Sequence, residues 1–345
     1  MHIDIHTTLA DLVAGDTLPE QHAEQLFTAL LAGNLLPEHI AAILAIIQYR
    51  SPTVEELVGG ARAMRAHVTP VQAPNTPEKP LIDTCGTGGA PKTFNVSTAA
   101  AIVAASTQKC SVCKHGNRSR TGRGSAEVLQ QLGVNIDASP TTQTKCLEHA
   151  GVCFSFAIRH HPAMVHAAPV RKALAFPTIF NLLGPLTNPA NAQRQLLGVY
   201  HTTLAEKIAH ALAKLDCTRA IIAHSHDNLD ELSISAPTTL WTVNNHTVTT
   251  STIDPRDLNL PLHPIEHVRA TSIEHAADMV RAAIDPDQPD DNNPPRDMVI
   301  LSASAALVVA DQAPTIESAI PTVRQAINDG NALQTLHTLA EVSHA

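Results

Sequence analysis

The chain has 345 residues, which is enough for one large domain or two unequal ones. Hydrophobic residues make up 44% and charged residues 16%, and this composition excludes a disordered or collagen-like chain. The 23 lysines and arginines against 32 aspartates and glutamates give a formal charge of −9, and aromatic residues amount to 3%. A dedicated nucleic-acid binder needs a basic field and stacking residues, so that class is disfavoured, although a local basic cleft stays compatible with these totals.

The sequence contains no run of 18 apolar residues, so no transmembrane helix is expected. The first residues, MHIDIHTT, carry no lysine or arginine ahead of an apolar stretch and do not match a secretory signal peptide. The six cysteines are sparse for this length, which predicts a cytoplasmic protein with free thiols. We interpret the CxxC spacing of Cys110 and Cys113 as structural, because no second pair lies at zinc-ribbon distance.

Residues 1–70 predict a small bundle of three helices. Each helix begins beside a proline, at Leu18-Pro19-Glu20, at Leu36-Pro37-Glu38 and at Ser51-Pro52, where Ser51 is the expected N-cap. The apolar surface of these helices exceeds what three helices can hide, which predicts a homodimer through this domain. That apolar face consists of Leu26, Leu30, Ile40 and Ile47.

Residues 71–80 are predicted to be a proline-rich linker, since the stretch from Thr69 to Pro80 holds four prolines in twelve residues. From residue 81 to 345, predicted strands alternate with helices. This alternation indicates a large α/β domain with a mainly parallel central sheet flanked by helices. Helices near 165–190 are expected to complete the small N-terminal helical domain.

The elements of the α/β domain can be placed in chain order. The predicted strands cover 81–85, 111–113, 152–156, 195–200 and 220–224. The predicted helices cover 97–106, 125–132, 141–150, 204–215, 299–310, 316–328 and 332–342. The threonine- and valine-rich stretch from Thr239 to Thr252 predicts an edge hairpin centred on Asn244-Asn245, and Pro321 is expected to kink or divide its helix.

A glycine-rich turn, Gly86-Thr-Gly-Gly89, leaves the first strand and leads to a helix that begins at Asn95-Val-Ser-Thr98. Glycines let a backbone approach an anion closely, and the first N–H groups of a helix face that anion. The spacing matches neither the Walker A loop nor the GxGxxG fingerprint. We therefore interpret this turn as a phosphate site outside the ATPase and dinucleotide-binding classes.

The second strand leads into a basic loop, KHGNRSRTGRGS, from Lys114 to Ser125. This loop holds five lysine, arginine or histidine side chains in an otherwise acidic chain. Ligands of parallel sheets bind outside the carboxyl ends of the strands, and both loops follow such ends. We expect the basic loop to bind the same anionic ligand as the glycine turn.

Adjacent carboxylates, Asp230 and Glu231, follow the strand predicted at 220–224. Mg²⁺ prefers one or two carboxylates together with water and phosphate oxygens of the substrate. An Asp-Glu pair alone is usually a solvated surface feature. Beside two phosphate-binding loops, however, it predicts a magnesium site.

A fourth segment holds the motif HHPAM at 160–164 and then Arg171 on a predicted helix. The Arg171 guanidinium can bind a carboxylate through two parallel hydrogen bonds. The following run, TIFNLLGPLTNP at 178–189, is irregular and apolar, and the residues alone assign it no role beyond a buried turn. His115 is a candidate for a role near an acceptor amine, and the alternative is a hydrogen bond within its own loop.

Together these segments resemble the anthranilate phosphoribosyltransferase family, which shares its fold with the pyrimidine nucleoside phosphorylases. The resemblance covers nearly the whole chain and is carried by GTGG, NVST, KHGNR, HHPAM, TIFNLLGPLTNP and DE, of which KHGNR and TIFNLLGPLTNP are specific. It implies transfer of phosphoribosyl from phosphoribosyl pyrophosphate to the amine of anthranilate in tryptophan synthesis. It also implies Mg²⁺ as cofactor and points to a homodimer.

The resemblance further implies a role for each matching residue. The two substrates would be bound by Gly86, Gly89, Ala90, Thr93, Asn95, Val96, Ser97, Thr98, Lys114, Asn117, Arg118, Gly122, Ser125 and Arg171. Mg²⁺ would be held by Ser97, Asp230 and Glu231. The catalytic groups would be Lys114, His115, Asn117 and Arg171, with Arg171 on the carboxylate of anthranilate.

Two loops depart from the family pattern. Ala90 stands where the family usually has aspartate, and the stretch from Gly89 to Thr93 is one residue shorter than usual. The basic loop between Gly116 and Ser125 is also one residue short. Both departures touch the pyrophosphate side of the site, so the number of magnesium ions stays open.

Two other functions stay open at this point. One is an enzyme of related fold, either a nucleoside phosphorylase or a phosphoribosyltransferase with another aromatic acceptor. The other is a non-catalytic paralogue that binds nucleic acid on the basic loop. Arg171 argues for an acidic acceptor, and the charge of −9 together with the intact Asp230-Glu231 pair argues against nucleic acid.

Overall fold

The computed structural model describes residues 3–90, 93–119, 122–290 and 292–345. Its strands are β1 (Leu81–Gly86), β2 (Ser111–Gly116), β3 (Val152–Phe156), β4 (Arg194–Gly198), β5 (Arg219–Ser225), β6 (Thr238–Asn244) and β7 (Thr247–Ile253). Its helices are α1 (Ile5–Ala14), α2 (Glu20–Leu31), α3 (Pro37–Arg50), α4 (Val54–Ala66), α5 (Val96–Ser106), α6 (Ser125–Gln131), α7 (Pro140–Ala150), α8 (Ala157–His160), α9 (Ala168–Leu174), α10 (Ile179–Leu183), α11 (Thr202–Lys214), α12 (Ile273–Ile284), α13 (Pro294–Val309), α14 (Ile316–Asn328) and α15 (Asn331–Ser343).

In the described residues, the strands form one sheet in the order β3-β2-β1-β4-β5-β6-β7. The five strands from β3 to β5 are parallel, and β6 and β7 add an antiparallel hairpin at the edge. This arrangement confirms the predicted fold class, and the hairpin lies where the threonine-rich stretch predicted it. The chain first runs outward from β1 to β3 and then returns to place β4 on the other side of β1.

Side chains alternate between the two faces of the sheet, as the period of a strand requires. On β5, Ile221 and Ala223 belong to the core with α5, α13 and α15, whereas Ala220 and Ile222 belong to the core with α11. Both faces are covered, which explains why the strands read as continuous apolar runs rather than as an alternating pattern.

The helical region formed by α1–α4, α9 and α10 shares its core with α11 and one face of the sheet. Helix α4 packs on α2, α10 and α11, and α3 packs on α1, α9 and α10. Leu26, Leu30, Ile40 and Ile47 are at most 1% exposed within this single chain. The prediction that these four residues form a spare apolar face for a dimer is therefore wrong, because α2 packs on α4, and α3 packs on α1, α9 and α10.

Several helix boundaries correct the sequence analysis. Residues 3–70 hold four helices rather than three, since α1 was not predicted, and α12 was not predicted either. Ser51 follows the end of α3, and the N-cap of α4 is Thr53, whose hydroxyl accepts the Glu56 N–H in a capping box. Pro321 lies inside α14 without dividing it.

All six cysteines are free and buried, as the sparse usage predicted, and Cys110 and Cys113 lie against the central strands. Across the described segments, no helix combines the length and the apolarity needed to cross a bilayer.

A buried carboxylate holds the start of α4 to its neighbours. Glu56 is fully buried and accepts hydrogen bonds from Arg50, from the Leu18 N–H at 3.0 Å and from the Thr53 N–H at 3.0 Å. We predict that Glu56→Ala lowers the free energy of unfolding by about 3 kcal/mol, because it removes the partner of the half-buried Arg50 guanidinium and of the Leu18 and Thr53 N–H groups. Urea denaturation measures this loss.

The neighbouring carboxylate provides the control. Glu55 forms an exposed ion pair with Lys214, so Glu55→Ala should change stability by no more than about 1 kcal/mol. Equal losses in the two variants would contradict a special role for the buried carboxylate.

Candidate active site

The predicted site residues lie where parallel strands end. Strand β1 ends at Gly86, β2 at Gly116 and β5 at Ser225, and each leads into a segment that the sequence analysis singled out. Because β1, β2, β4 and β5 are parallel, these segments meet along the edge formed by the carboxyl ends of the strands. The direction of the connections reverses between β1 and β4, and such a reversal opens a crevice for ligands in α/β sheets.

Side chains bridge β1 and β2 near this edge. The backbone pairing of the two strands covers only Leu81 with Ser111 and Ile82 with Val112. Beyond it, the carboxylate of Asp83 accepts the His115 N–H at 3.1 Å, and Lys114 Nζ donates to the Thr84 carbonyl at 2.6 Å. At this end, polar side chains therefore replace the backbone pairing of β2 with β1, while β2 stays paired with β3 up to Gly116.

Lys114 is the central cation of the site. It is 3% exposed, and its Nζ also donates to Ser97 Oγ at 3.2 Å, which links β2 to the first turn of α5. Burial lowers the pKa of Lys114, and the charges of Asp83, Cys85 and Glu231 oppose that shift. Burial raises the pKa of Asp83, against the favourable effects of Asn188 and Lys114.

The loop after β5 is a rigid platform for the two predicted metal ligands. Asp227 accepts hydrogen bonds from the hydroxyls of Ser225 and Ser233, which closes the loop. Leu229 and Leu232, which flank the Asp230-Glu231 pair, are both 1% exposed and anchor it in the core. The carboxylates therefore emerge from a loop that is held on both sides.

This loop crosses the end of β4 to reach β1. A Cβ atom on Gly198 would lie 1.7 Å from the Asp230 carbonyl oxygen, so only glycine admits this crossing. A Cβ atom on Gly86 would lie 3.3 Å from Asp230 Oδ2. Asp230 thus lies beside the glycine turn, although 144 positions separate it from Gly86 in the sequence.

Glu231 meets the N-terminus of α5. Its carboxylate accepts the Ser97 N–H, and a negative charge is favoured at that end of a helix. Burial and the neighbouring Asp230 charge nevertheless raise the pKa of Glu231 to about 8, against the effect of Lys114. Lys114, Ser97 and Glu231 therefore lie together where β1, β2 and β5 end.

Arg171 on α9 lies over the ring of Phe180, with its guanidinium carbon 5.3 Å from the ring centroid. One of its amino groups donates to Asn181 Oδ1 at 3.4 Å. Burial lowers the pKa of Arg171, although it stays a cation at any ordinary pH. Arg171 is thus a half-buried cation held by an aromatic face and a neutral amide.

His115 has a protein partner on each ring nitrogen. Nδ1 lies 3.1 Å from the Gly184 carbonyl, so Nδ1 carries the proton, and Nε2 lies 3.2 Å from His161 Nε2. Burial and the two histidines His161 and His160 hold the pKa of His115 well below its usual value. Burial lowers the pKa of His161 to about 4. His115 is therefore neutral, and its ring hydrogen bonds reach Gly184 and His161, which lie outside its own loop.

Family models match this chain in two parts. Residues 7–68 match the helical bundle domain of a glycosyl transferase family, and residues 78–333 match its a/b domain. The anthranilate phosphoribosyltransferase of Thermomicrobium roseum is 42% identical over 99% of this chain and 97% of its own length, and that of Rubrobacter xylanophilus is 40% identical over 98% and 97%. The chain belongs to the anthranilate phosphoribosyltransferase family.

Solved structures agree with the sequence relatives. The anthranilate phosphoribosyltransferase of Thermus thermophilus superposes with a TM-score of 0.90 at 33% identity, covering 99% of this chain and 100% of the other. The Saccharomyces cerevisiae enzyme, solved in complex with PRPP and Mg, has a TM-score of 0.89 at 25% identity, covering 99% and 98%. The family therefore shares the whole architecture described above.

The basic loop is described up to Ser119 and again from Gly122. Asn117 Oδ1 accepts the Arg118 N–H at 2.7 Å, its carbonyl accepts from Ser125 Oγ at 3.5 Å, and Arg118 lies 5.8 Å from the Phe156 ring centroid. Asn117 and Arg118 are exposed, while Gly122 and Ser125 are half-buried. Arg120 and Thr121 of the predicted loop lie outside the described residues, as do Pro91 and Lys92 of the glycine turn.

The first turn of α5 divides the predicted substrate residues into two groups. Thr93, Asn95 and Ser97 are half-buried at the cleft, whereas Val96 and Thr98 are at most 1% exposed and belong to or border the core. The Val96 and Thr98 N–H groups bond within the turn, to Phe94 and Asn95. The side chains of Val96 and Thr98 are therefore inaccessible to a ligand.

Two residues at the site were missed in the sequence analysis. Gly198 admits the crossing loop, and the half-buried Tyr200 packs on the glycine turn, where a Cβ atom on Gly89 would meet its ring at 3.1 Å. Gly89 itself has a φ of +103° and needs to be glycine. Both residues could have been found from the sequence, since Gly198 ends an apolar strand and Tyr200 follows it at the ligand-binding edge.

The oxygen donors at this edge fit Mg²⁺. Two adjacent carboxylates and the Ser97 hydroxyl are the hard ligands that this ion prefers. In the residues with described positions, no group of three His, Cys, Asp or Glu side chains gathers to hold a metal alone. A magnesium ion here would therefore share its coordination with water and phosphate oxygens, which is its usual behaviour.

The raised pKa of Glu231 predicts a pH dependence of stability in metal-free protein. An unfolded glutamate ionises near pH 4.5, whereas folded Glu231 does so at about 8, so the folded state keeps a proton that the unfolded state loses. Stability should fall as pH rises through this window, and Glu231→Gln should remove part of the fall. Thermal melts at pH 5 and pH 8 in a chelating buffer measure it.

The exposed Glu317 gives a matched control, because Glu317→Gln removes one carboxylate without changing a buried group. The Tm difference between the two pH values should be smaller in Glu231→Gln than in Glu317→Gln or the parent protein. Equal differences would show that Glu231 ionises as freely as a solvated glutamate.

Proposed function

We propose that this protein transfers the phosphoribosyl group of phosphoribosyl pyrophosphate to the amine of anthranilate, releasing pyrophosphate, in L-tryptophan biosynthesis. One observation carries the proposal: Lys114, Ser97 and Glu231 converge beside the glycine turn, and His115 links this pocket to the segment that holds Arg171. These contacts support a site for an anionic sugar beside a site for an acidic acceptor.

The chemistry requires assistance mainly for the leaving group. The amine of anthranilate is an aromatic amine that is neutral at pH 7, so no strong base is needed before it attacks the anomeric carbon. Breaking the bond to pyrophosphate builds positive charge on the ribose and negative charge on the departing oxygen. Catalysis then consists of positioning and of electrostatic stabilisation at the pyrophosphate.

This chain supplies countercharge from Lys114 and from the arginines of the basic loop. Ser97, Asp230 and Glu231 would hold Mg²⁺, which adds positive charge at the pyrophosphate oxygens when bound. Gly86 and Gly89 let the backbone approach the phosphates, with Ala90, Thr93, Asn95 and the first turn of α5 around them. The short loop at Ala90 offers no carboxylate for a second ion.

The acceptor would bind on the other side of His115. The Arg171 guanidinium would bind the carboxylate of anthranilate, with Gly86 and Asn117 near its ring. Because His115 is neutral and both of its nitrogens are engaged, it adds no positive charge near the attacking amine. We assign His115 a positioning part in catalysis and assign the direct contacts to Lys114, Asn117 and Arg171.

We divide the chain into a helical domain of residues 1–70, completed by 165–190, a linker of 71–80 and a phosphoribosyl-binding domain of 81–345. The packing of α9 and α10 on α3 and α4 supports this division.

We also infer a homodimer through the helical domain. Among the described residues, five of the seven large apolar side chains left exposed belong to its segments, namely Val13, Leu36, Tyr49, Val165 and Phe176. The six free thiols support a cytoplasmic location.

The function is tested by incubating the purified protein with anthranilate, phosphoribosyl pyrophosphate and Mg²⁺ and following the loss of anthranilate fluorescence. Turnover should stop when EDTA removes the metal. Phosphorolysis of pyrimidine nucleosides, or salt-sensitive DNA binding without any turnover, would instead favour one of the two rival functions.

Arg171→Ala should raise the KM for anthranilate by roughly tenfold to a hundredfold, because it removes charged hydrogen bonds to the acceptor. The KM for phosphoribosyl pyrophosphate should stay near its original value. Lys172→Ala is the matched control, since Lys172 carries the same charge on the exposed side of the same helix. A normal KM for anthranilate in Arg171→Ala would remove Arg171 from the acceptor site.

The dimer is tested with a double variant, Val13→Asp with Tyr49→Asp, which places charge on side chains that are 75% and 95% exposed in the single chain. Sedimentation should show a monomer, because buried unpaired carboxylates oppose association. Leu262→Asp, at an exposed position of the α/β domain, should leave the dimer intact. An unchanged dimer in the double variant would place the interface elsewhere.

A further inference from the structure

The run from Thr178 to Pro189, to which the sequence alone assigned no role, connects the two halves of the site. The Gly184 carbonyl accepts the Nδ1–H of His115 at 3.1 Å. Asn188 Nδ2 donates to the Cys113 carbonyl at 2.7 Å, one residue before Lys114. Near its start, Asn181 contacts Arg171. Different residues of one short segment thus hold the strand that carries Lys114 and the helix that carries Arg171.

Asn181 is placed so that its amide oxygen faces Arg171. Oδ1 accepts the Thr178 N–H at 3.1 Å and the Arg171 amino group at 3.4 Å. Both partners can only donate, so the orientation of the amide follows from the hydrogen bonds. The Phe180 ring lies across the guanidinium, with its centroid 5.3 Å from the central carbon. Arg171 is therefore oriented by one neutral oxygen and one apolar face.

Asn181 carries no charge, and this determines how it affects the Arg171 guanidinium. A carboxylate at this position would hold the guanidinium more strongly, since charge-assisted pairs are shorter and stronger than neutral ones. It would also cancel the charge of Arg171 in a half-buried environment and compete with an anionic ligand. An amide orients the guanidinium and leaves its charge to a substrate.

We propose that Asn181 is a positioning residue that aims the Arg171 guanidinium and keeps it electrostatically available, so that the site selects an acceptor bearing a carboxylate. This inference rests on the proposed function, in which Arg171 binds the acceptor.

A purely structural role for Asn181 predicts a different result. Asn181 occupies the third position of α10, where its side chain accepts the N–H of Thr178, the residue that precedes the helix. Aspartate serves this position at least as well, because a negative charge is favoured in the first turn of a helix. If Asn181 only caps α10, Asn181→Asp should leave the stability of the protein unchanged, whereas Asn181→Ala should lower it.

If Asn181 positions Arg171, Asn181→Asp should instead impair acceptor binding more than Asn181→Ala does. Asn181→Ala should raise the KM for anthranilate about threefold to fivefold through lost orientation. Asn181→Asp should raise it by roughly tenfold or more, because the new carboxylate pairs with Arg171. Its Tm and its KM for phosphoribosyl pyrophosphate should stay at the values of the parent protein. Steady-state kinetics with each substrate varied in turn, together with thermal melts, measure these quantities.

A double-variant cycle shows whether the effect acts through Arg171. Adding Asn181→Asp to Arg171→Ala should produce no further rise in the KM for anthranilate, since the group that it neutralises is gone. A further rise of the same size would overturn the proposal. So would a KM in Asn181→Asp that equals the parent value or lies below that of Asn181→Ala.

The same experiment separates this inference from the proposed function. If Arg171→Ala leaves the KM for anthranilate unchanged, the acceptor assignment fails and the positioning role fails with it. If Arg171→Ala raises the KM and neither Asn181 variant does, only the positioning role fails.

Discussion

The buried amine of Lys114 holds the site together. It comes from β2 and donates to the Thr84 carbonyl on β1 and to the Ser97 hydroxyl on α5. The carboxylates of Asp83 and Glu231 lie close enough for their charges to act on it. Without this cation, the two carboxylates would be left in a poorly solvated pocket, which is strongly unfavourable. The glycine turn, the start of α5 and the loop after β5 all depend on it for their relative positions.

Much of the architecture could be predicted from the sequence because local patterns and the sheet agree. The run VCFSF at 152–156 is apolar except for Ser155, and its predicted bounds coincide with β3, a strand buried on both faces. Loops rich in glycine or charge follow β1, β2 and β5, and parallel topology brings them to one edge. Helix α1 was missed because neither proline nor glycine marks its start, and Asp4 alone caps it.

The remainder of the site depends on contacts between segments that are distant in sequence. Val96 and Thr98 lie beside Ser97, yet the helical period turns them into the core while Ser97 faces Lys114. Gly198 is required only because the backbone of Asp230 crosses it. No local pattern encodes such a crossing. The prediction of an apolar dimer face failed for the same reason, since part of the cover of α3 comes from α9 and α10, which lie far along the chain.

The seating of α4 bears on how the cleft could open and close. Arg65, near the end of this helix, donates to the carbonyl of Leu186 at 2.8 Å and to that of Leu215, just beyond α11, at 3.2 Å. This side chain therefore connects the N-terminal helices to the end of α11, which covers the sheet, and to the run from Thr178 to Pro189 beside the proposed acceptor site. The same run is bonded to β2 through Gly184 and Asn188, and α11 packs on β5 and β6. Arg65 therefore ties the N-terminal helices to the strands and opposes a rigid-body displacement of Arg171 relative to Lys114.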